Sequence, residues 1–266
     1  MNDLTATDTA TRAELSIEGR RLSYLDFGGA GRPLVALHGH LSEGATFARL
    51  AAALGPEWRL IAPDQRGHGE SDRAADYSRD GYLADVLALL DHLGLDRVVL
   101  LGHSLGAINA YQFAARHPER VSALVNAEGA ASLGLDGSNP FGFLLNLPYR
   151  APDRDALLAG FGPAAPYFSD RLRQDADGTW RLPFHPEDMY RSEDRVHGDH
   201  WGDWTATTCP ALLIHGTRGI IPPEQLAAMV ERRPGTVPVE LDADHLVCTG
   251  APEAFAAAVG AFLATL

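Results

Sequence analysis

Ser104 sits between two glycines in Gly102-His103-Ser104-Leu105-Gly106. A serine hydroxyl is a weak nucleophile until a base takes its proton, so its placement matters as much as its identity. Glycines two residues to either side carry no Cβ, which lets the backbone bend sharply and other segments come close. An apolar stretch, Val98–Leu101, leads into the pentapeptide and an amphipathic one, Leu105–Arg116, leads out of it. Strand, sharp turn and helix in that order push the hydroxyl out past a sheet edge. They also set it at a helix N-terminus, whose free N–H groups favour negative charge. The chemistry this suits is attack on a carbonyl, with an oxyanion developing on the substrate. The five residues alone also fit a packing turn with an inert serine; the flanking strand and helix argue against that.

The elements that would hold such a turn alternate along the chain. Ala13–Gly19 and Arg21–Phe27 read as antiparallel strands joined at a glycine. Short apolar runs at Pro33–Leu37, Trp58–Ala62, Arg97–Leu101, Val121–Ala127, Ala211–His215 and Val237–Leu241 suit buried strands. Between and after them come helical patterns at Phe47–Leu54, Tyr82–Leu93, Leu105–Arg116, Pro223–Glu231 and Pro252–Leu266. This alternation predicts an α/β fold, a mostly parallel eight-stranded sheet with helices on both faces. Ligands then bind beyond the carboxyl ends of the strands. The loops after Leu37, Ala62, Leu101, Ala127, His215 and Leu241 share that edge. The pattern lapses between residues 130 and 208, where prolines and aromatic residues crowd. That stretch is too long for a plain loop and too aromatic for disorder, and reads as an inserted helical lid. The expected division is a flexible tail at 1–12, a core domain at 13–129 and 209–266, and a lid at 130–208.

At these blocks the chain resembles the α/β-hydrolase family, from about Leu15 to Leu266. His38-Gly39-His40 follows the third strand, Pro63-Asp64-Gln65-Arg66-Gly67-His68-Gly69-Glu70-Ser71 the fourth, Gly102–Gly106 the fifth, and His245 the eighth. Among 11 histidines, the resemblance selects His245 as the base. An imidazole can take the serine proton at neutral pH and return it to the leaving group. His38 and His103 read as loop supports and His68 as structural. His197 and His200, near Asp199 and Asp203, have too few partners to specify a metal.

The third member of the family's triad is an Asp shortly after the seventh strand. Here that position falls on Gly219, and His215–Pro223 holds no carboxylate. Glu128, at the end of the sixth strand, is the replacement; some lactonases and dehalogenases are similar in using this position. Its role is to accept a hydrogen bond from imidazole Nδ1 and stabilise the imidazolium. Asp242, Asp244 and Glu224 are the alternatives, and a Ser–His dyad is the remaining one.

For the oxyanion, the residue after the nucleophile supplies the Leu105 N–H, and by resemblance the His40 N–H supplies the second donor. His40, Leu41, Trp180, Trp201 and Trp204 are the candidate substrate-binding side chains.

The whole chain has 266 residues, 45% hydrophobic and 21% charged, with a net charge of -13. That is globular composition, and the acidic balance disfavours nucleic acid and anionic membranes. The N-terminal residues lack a secretory pattern and no apolar run is long enough to span a bilayer. Two cysteines, Cys209 and Cys248, read as free thiols of a cytoplasmic protein. The expectation is a serine hydrolase for a small carboxylic ester, lactone or thioester, needing no cofactor or metal, and monomeric or homodimeric. Cofactor-free oxygen or peracid chemistry, a biosynthetic cyclisation, and a slow ligand-binding relative remain open beside it.

Overall fold

Strands made almost wholly of Val, Leu and Ala can be buried on both faces, and they form the centre of the sheet. The computed structural model describes residues 10–266. Its eight-stranded sheet contains β1 (Thr11–Ile17), β2 (Arg20–Asp26), β3 (Arg32–Leu37), β4 (Trp58–Pro63), β5 (Val98–His103), β6 (Val121–Ala127), β7 (Ala211–Arg218) and β8 (Thr236–Asp244). The spatial order is β1-β2-β4-β3-β5-β6-β7-β8. β1 pairs antiparallel with β2, and β2 with β4; every other pairing is parallel. This is the expected architecture.

Alternation along the strands sorts side chains into two cores. Leu34, Ala36, Val99, Leu101 and Val125 face α1 (Ala48–Leu54) and α8 (Pro252–Leu263). Val35, Leu37, Leu100, Leu124 and Leu213 face α2 (Arg79–His92) and α3 (Leu105–Arg116). The carboxyl ends of β3, β5, β6, β7 and β8 therefore share one edge.

The first strand begins earlier than the pattern indicated. Thr11 and Arg12, assigned to a flexible tail, pair with Asp26 and Leu25. The Arg12 guanidinium reaches Ser23 Oγ and the buried carboxylate of Asp64, each at 2.6 Å. Residues 1–9, the rest of that tail, lie outside the described residues. α2 also starts a turn early, because Ser78 accepts the Gly81 N–H and caps it.

Between β6 and β7 lie α4 (Arg154–Ala159), α5 (Pro186–Val196) and α6 (Trp201–Ala206), with a small three-stranded sheet. Pro140, Pro163, Pro166 and Pro186 each stand at the start of a short helical turn or helix, where a missing N–H costs nothing. This segment has its own apolar cluster, including Leu144, Leu157, Phe168, Phe184 and Met189, which Leu41 from the loop after β3 joins. Asp188 of α5 ties it to the core, accepting from Arg73 Nε at 2.5 Å and Tyr77 Oη at 2.9 Å. Cys209 and Cys248 are unpaired.

Candidate active site

Ser104 occupies the single residue between β5 and α3, at φ 53° and ψ −119°. Few L-residues adopt this backbone, and it costs roughly 1–3 kcal/mol. The turn is held by the Ser104 N–H donating to Ala127 O at 2.8 Å, and by Ala107 and Ile108 N–H donating to Ser104 O. The flanking glycines are needed for space. A Cβ on Gly102 would run into the Gly106 carbonyl, and one on Gly106 into the Leu37 carbonyl. The start of α3 is thus seated directly on the end of β3.

Four non-glycine residues among those described have positive φ: Glu18, Leu41, Ser104 and Glu128. The last three follow β3, β5 and β6, at the shared edge. Strain gathered at one edge is a signature of a functional site.

His245 follows β8 and completes a line of contacts. Its Nε2 lies 2.9 Å from Ser104 Oγ, and its Nδ1 lies 3.0 Å from Glu128 Oε2. A carboxylate only accepts, so Nδ1 carries the proton and Nε2 is free to accept from the serine hydroxyl. The ring is one-quarter exposed, whereas the Glu128 side chain is fully buried. His103 Nε2–H donates to His245 O at 2.8 Å, fixing the loop from behind. Burial drives His103 down to about 3, so this ring is neutral. His38 is likewise pushed by burial to about 4; it donates from Nδ1 to Gly39 O and accepts the Gln65 N–H at Nε2.

Glu128 is held by a cradle of backbone amides, which have no signature in the sequence. The Gly216 N–H donates to Oε1 at 2.7 Å and the Ile220 N–H to Oε2 at 3.0 Å. Burial by itself would raise its pKa. The bonds from His245, Gly216 and Ile220 outweigh burial and hold the carboxyl below its ordinary range. A Cβ on Gly219 would fall onto Glu128 Oε1. The glycine at the family's usual acid position therefore vacates the volume that the Glu128 carboxylate fills. The alternative acids lie elsewhere: Asp242 pairs with Arg218 at the surface, Asp244 accepts the Leu246 N–H, and Glu224 is exposed at the start of α7 (Pro223–Arg232).

The loop after β3 lies against Ser104, since a Cβ on Gly39 would stand 3.1 Å from Ser104 Cβ. Leu105 is the first residue of α3 and has no carbonyl a turn earlier to bond. The His40 and Leu105 N–H groups are thereby brought to the same edge as the hydroxyl.

Among the candidate substrate-binding side chains, Trp204 needs correction. Trp204 is fully buried in the core, its ring edge against Tyr111 and its Nε1–H donating to Met229 O at 2.9 Å. Trp201 packs beside that core under the Arg232 guanidinium, 4.3 Å from the ring centroid. Trp204 pins α6 to the body of the protein, because a large ring with one donor is best buried where the donor has a carbonyl. Trp180 lies in the small sheet, pairing with Ala151 and Gln174 and packing on the inserted segment's own cluster. Leu41 packs in that cluster too, and the His40 ring is bonded to Ser192 and Glu193 of α5. His197 is engaged by Glu193, and His200 donates to Val196 O. His68 is fully buried with Nδ1 on Arg66 O.

A hydroxyl, an imidazole and a buried carboxylate stand in line at the carboxyl edge of a parallel sheet, an arrangement capable of activating the hydroxyl. The chain belongs to the α/β-hydrolase fold family, which matches over residues 32–252. It is 30% identical to N-formylmaleamate deformylase of Pseudomonas putida, over 94% of this chain and 95% of that protein. It is 28% identical to 2-(acetamidomethylene)succinate hydrolase of Mesorhizobium japonicum, over 88% and 89%. A crystal structure of E-2-(acetamidomethylene)succinate hydrolase superposes with a TM-score of 0.82 at 25% identity, covering 96% of this chain and 99% of that one. Two of these are hydrolases by name and one is a deformylase, so hydrolysis is the reaction class they support here. Among the described residues no helix is long and apolar enough to cross a membrane.

Proposed function

We propose that the protein hydrolyses a small carboxylic ester or lactone through an acyl-enzyme formed on Ser104. His245 Nε2 takes the hydroxyl proton as Ser104 Oγ attacks the carbonyl carbon. Glu128 keeps Nδ1 protonated and stabilises the imidazolium that results. The N–H groups of His40 and Leu105 receive the oxyanion, where one such donor is worth roughly 2.7–4 kcal/mol. The tetrahedral species collapses as His245 Nε2–H protonates the leaving alkoxide. A water then enters, gives its proton to His245, attacks the acyl carbon and frees the acid and Ser104. None of these steps calls on a metal or an organic cofactor. The segment between β6 and β7 serves as the lid over the site.

The observation that carries this reading is the unbroken line Ser104 Oγ, His245 Nε2, His245 Nδ1, Glu128 Oε2, with contacts of 2.9 and 3.0 Å. A C–N acyl bond is the second reading, favoured by the names of the two relatives that span nearly the whole chain. Both names also describe acidic substrates. Arg171 suits that: its guanidinium rests on Ser42 Oγ at 2.9 Å, two residues beyond His40, with no carboxylate partner among the described residues. The test is a panel of short-chain and aryl esters, lactones of several ring sizes, thioesters and N-acyl enamines, with and without a free acid group. Turnover lost in Ser104→Ala supports the reading and its best substrate chooses between C–O and C–N; turnover that survives in that variant overturns it.

A further inference from the structure

His40 enters the proposed mechanism through its backbone alone, yet its side chain is held as tightly as any catalytic group. The ring is buried between the loop after β3 and α5, with 5% of the side chain accessible. Nδ1 stands 3.1 Å from Glu193 Oε2, and Nε2 stands 2.7 Å from Ser192 Oγ. The carboxylate can only accept, so Nδ1 donates; Nε2 is then a lone pair, and the Ser192 hydroxyl donates to it. Tyr82 Oη lies 2.8 Å from Ser192 Oγ and supplies the donor that the serine oxygen still accepts. The bonds therefore run in one direction, from Tyr82 to Ser192 to His40 to Glu193, with each donor matched to one acceptor. Burial lowers the His40 pKa, in keeping with the neutral ring this order requires. Glu193 is steadied in turn by His197 at 3.2 Å, and the Phe141 ring packs at right angles to the imidazole with 5.2 Å between ring centroids.

The residue that follows explains why an anchor is needed. Leu41 has φ 60°, a left-handed backbone that costs a non-glycine residue roughly 1–2 kcal/mol. A loop carrying that strain relaxes unless something opposes it, and relaxation rotates the peptide planes beside it, including the one bearing the His40 N–H.

We propose that Ser192 and Glu193 are positioning residues: by gripping the His40 ring they hold loop 39–41 in its strained form and aim the His40 N–H at the substrate oxygen. Seating α5 on the core thereby completes the oxyanion hole. This inference rests on the reading of Ser104 as the nucleophile.

The test uses the full chain, p-nitrophenyl acetate as substrate and phenylboronic acid as a tetrahedral mimic on the serine. Removing an oxyanion donor outright costs roughly 10²–10³ in kcat. Ser192→Ala and Glu193→Gln misaim a donor rather than delete it, and should lower kcat by on the order of 10–10² with KM within about twofold. Boronate affinity falls in parallel, and Ser192→Thr, which keeps the hydroxyl, restores most of both. In a His40→Ala background neither change lowers kcat further. Should that background not fold, the contrast of Ser192→Ala with Ser192→Thr carries the comparison. Unchanged kcat and boronate affinity in folded Ser192→Ala and Glu193→Gln overturn the positioning role, as do losses that add in full to that of His40→Ala. A wild-type chain that neither turns over the ester nor binds the boronate removes the nucleophile reading itself, and this inference with it.

Discussion

Replacing Glu128 by glutamine keeps the shape of the side chain and removes its charge, and the cradle around it determines the outcome. The carboxylate accepts three bonds: Gly216 N–H at Oε1, and Ile220 N–H and His245 Nδ1–H at Oε2. Glutamine has one acceptor atom and one NH₂. With its oxygen in place of Oε2, the NH₂ faces the Gly216 N–H across 2.7 Å. Reversed, it faces both the Ile220 N–H and His245 Nδ1. The first orientation leaves two buried donors opposed, at a cost of about 1–3 kcal/mol in stability. The second makes Nδ1 an acceptor and moves the ring proton to Nε2, which can then no longer take the Ser104 proton. Loss of the orienting carboxylate elsewhere lowers kcat by about 10⁴, equivalent to about 5 kcal/mol in the barrier. The assay is kcat for p-nitrophenyl acetate beside urea unfolding of the same samples. A folded Glu128→Gln enzyme with kcat within about tenfold of wild type would refute the role given to this carboxylate. There is also a pH signature. A carboxyl held below its unfolded value of about 4.3 contributes stability above that pH and loses it as pH falls through the folded value. The stability gap between wild type and Glu128→Gln should therefore narrow on acidification.

Gly219→Ala places a methyl group on Glu128 Oε1; a displacement near 1 Å costs about 10²-fold in kcat, and activity within twofold of wild type would show that the carboxylate has room to spare. His38 and His103 are neutral in the fold, at about 4 and about 3, while the unfolded chain protonates near pH 6.5. Stability should thus decline as pH drops below about 6.5, by about 1.4 kcal/mol per pH unit for each ring. His103→Asn should flatten that slope by one proton in urea titrations between pH 4 and 6, and an unchanged slope would contradict it. Trp204→Phe gives up the bond to Met229 O and should cost about 1 kcal/mol of stability, with kcat/KM unchanged for every substrate tested; altered substrate preference would return Trp204 to the pocket.

Local pattern made the sheet legible in the sequence, because buried parallel strands are nearly continuous apolar runs and the Gly102–Gly106 turn is a five-residue device. Boundaries moved where side chains far away intervene: Arg12 extends β1 by reaching Asp64, and Ser78 starts α2 by capping it. Ser104 could be singled out by its glycine-flanked turn, and His245 and Glu128 through the family resemblance, each near a strand end at one edge. The Gly216 and Ile220 amides could not, since a backbone donor has no side-chain signature. Nor could Ser192 and Glu193, which meet His40 across about 150 residues of chain. Trp204 misled for a related reason. An aromatic residue in an inserted segment looks the same in sequence whether it faces a cavity or closes a core, and Trp204 closes one.

The most direct measurement is covalent labelling. A fluorophosphonate incubated with the folded chain, followed by digestion and mass mapping, should give a single stoichiometric adduct on the peptide bearing Ser104, absent in Ser104→Ala and strongly slowed in His245→Ala. A folded chain that takes no adduct, or takes it on another residue while Ser104 stays free, would contradict the account.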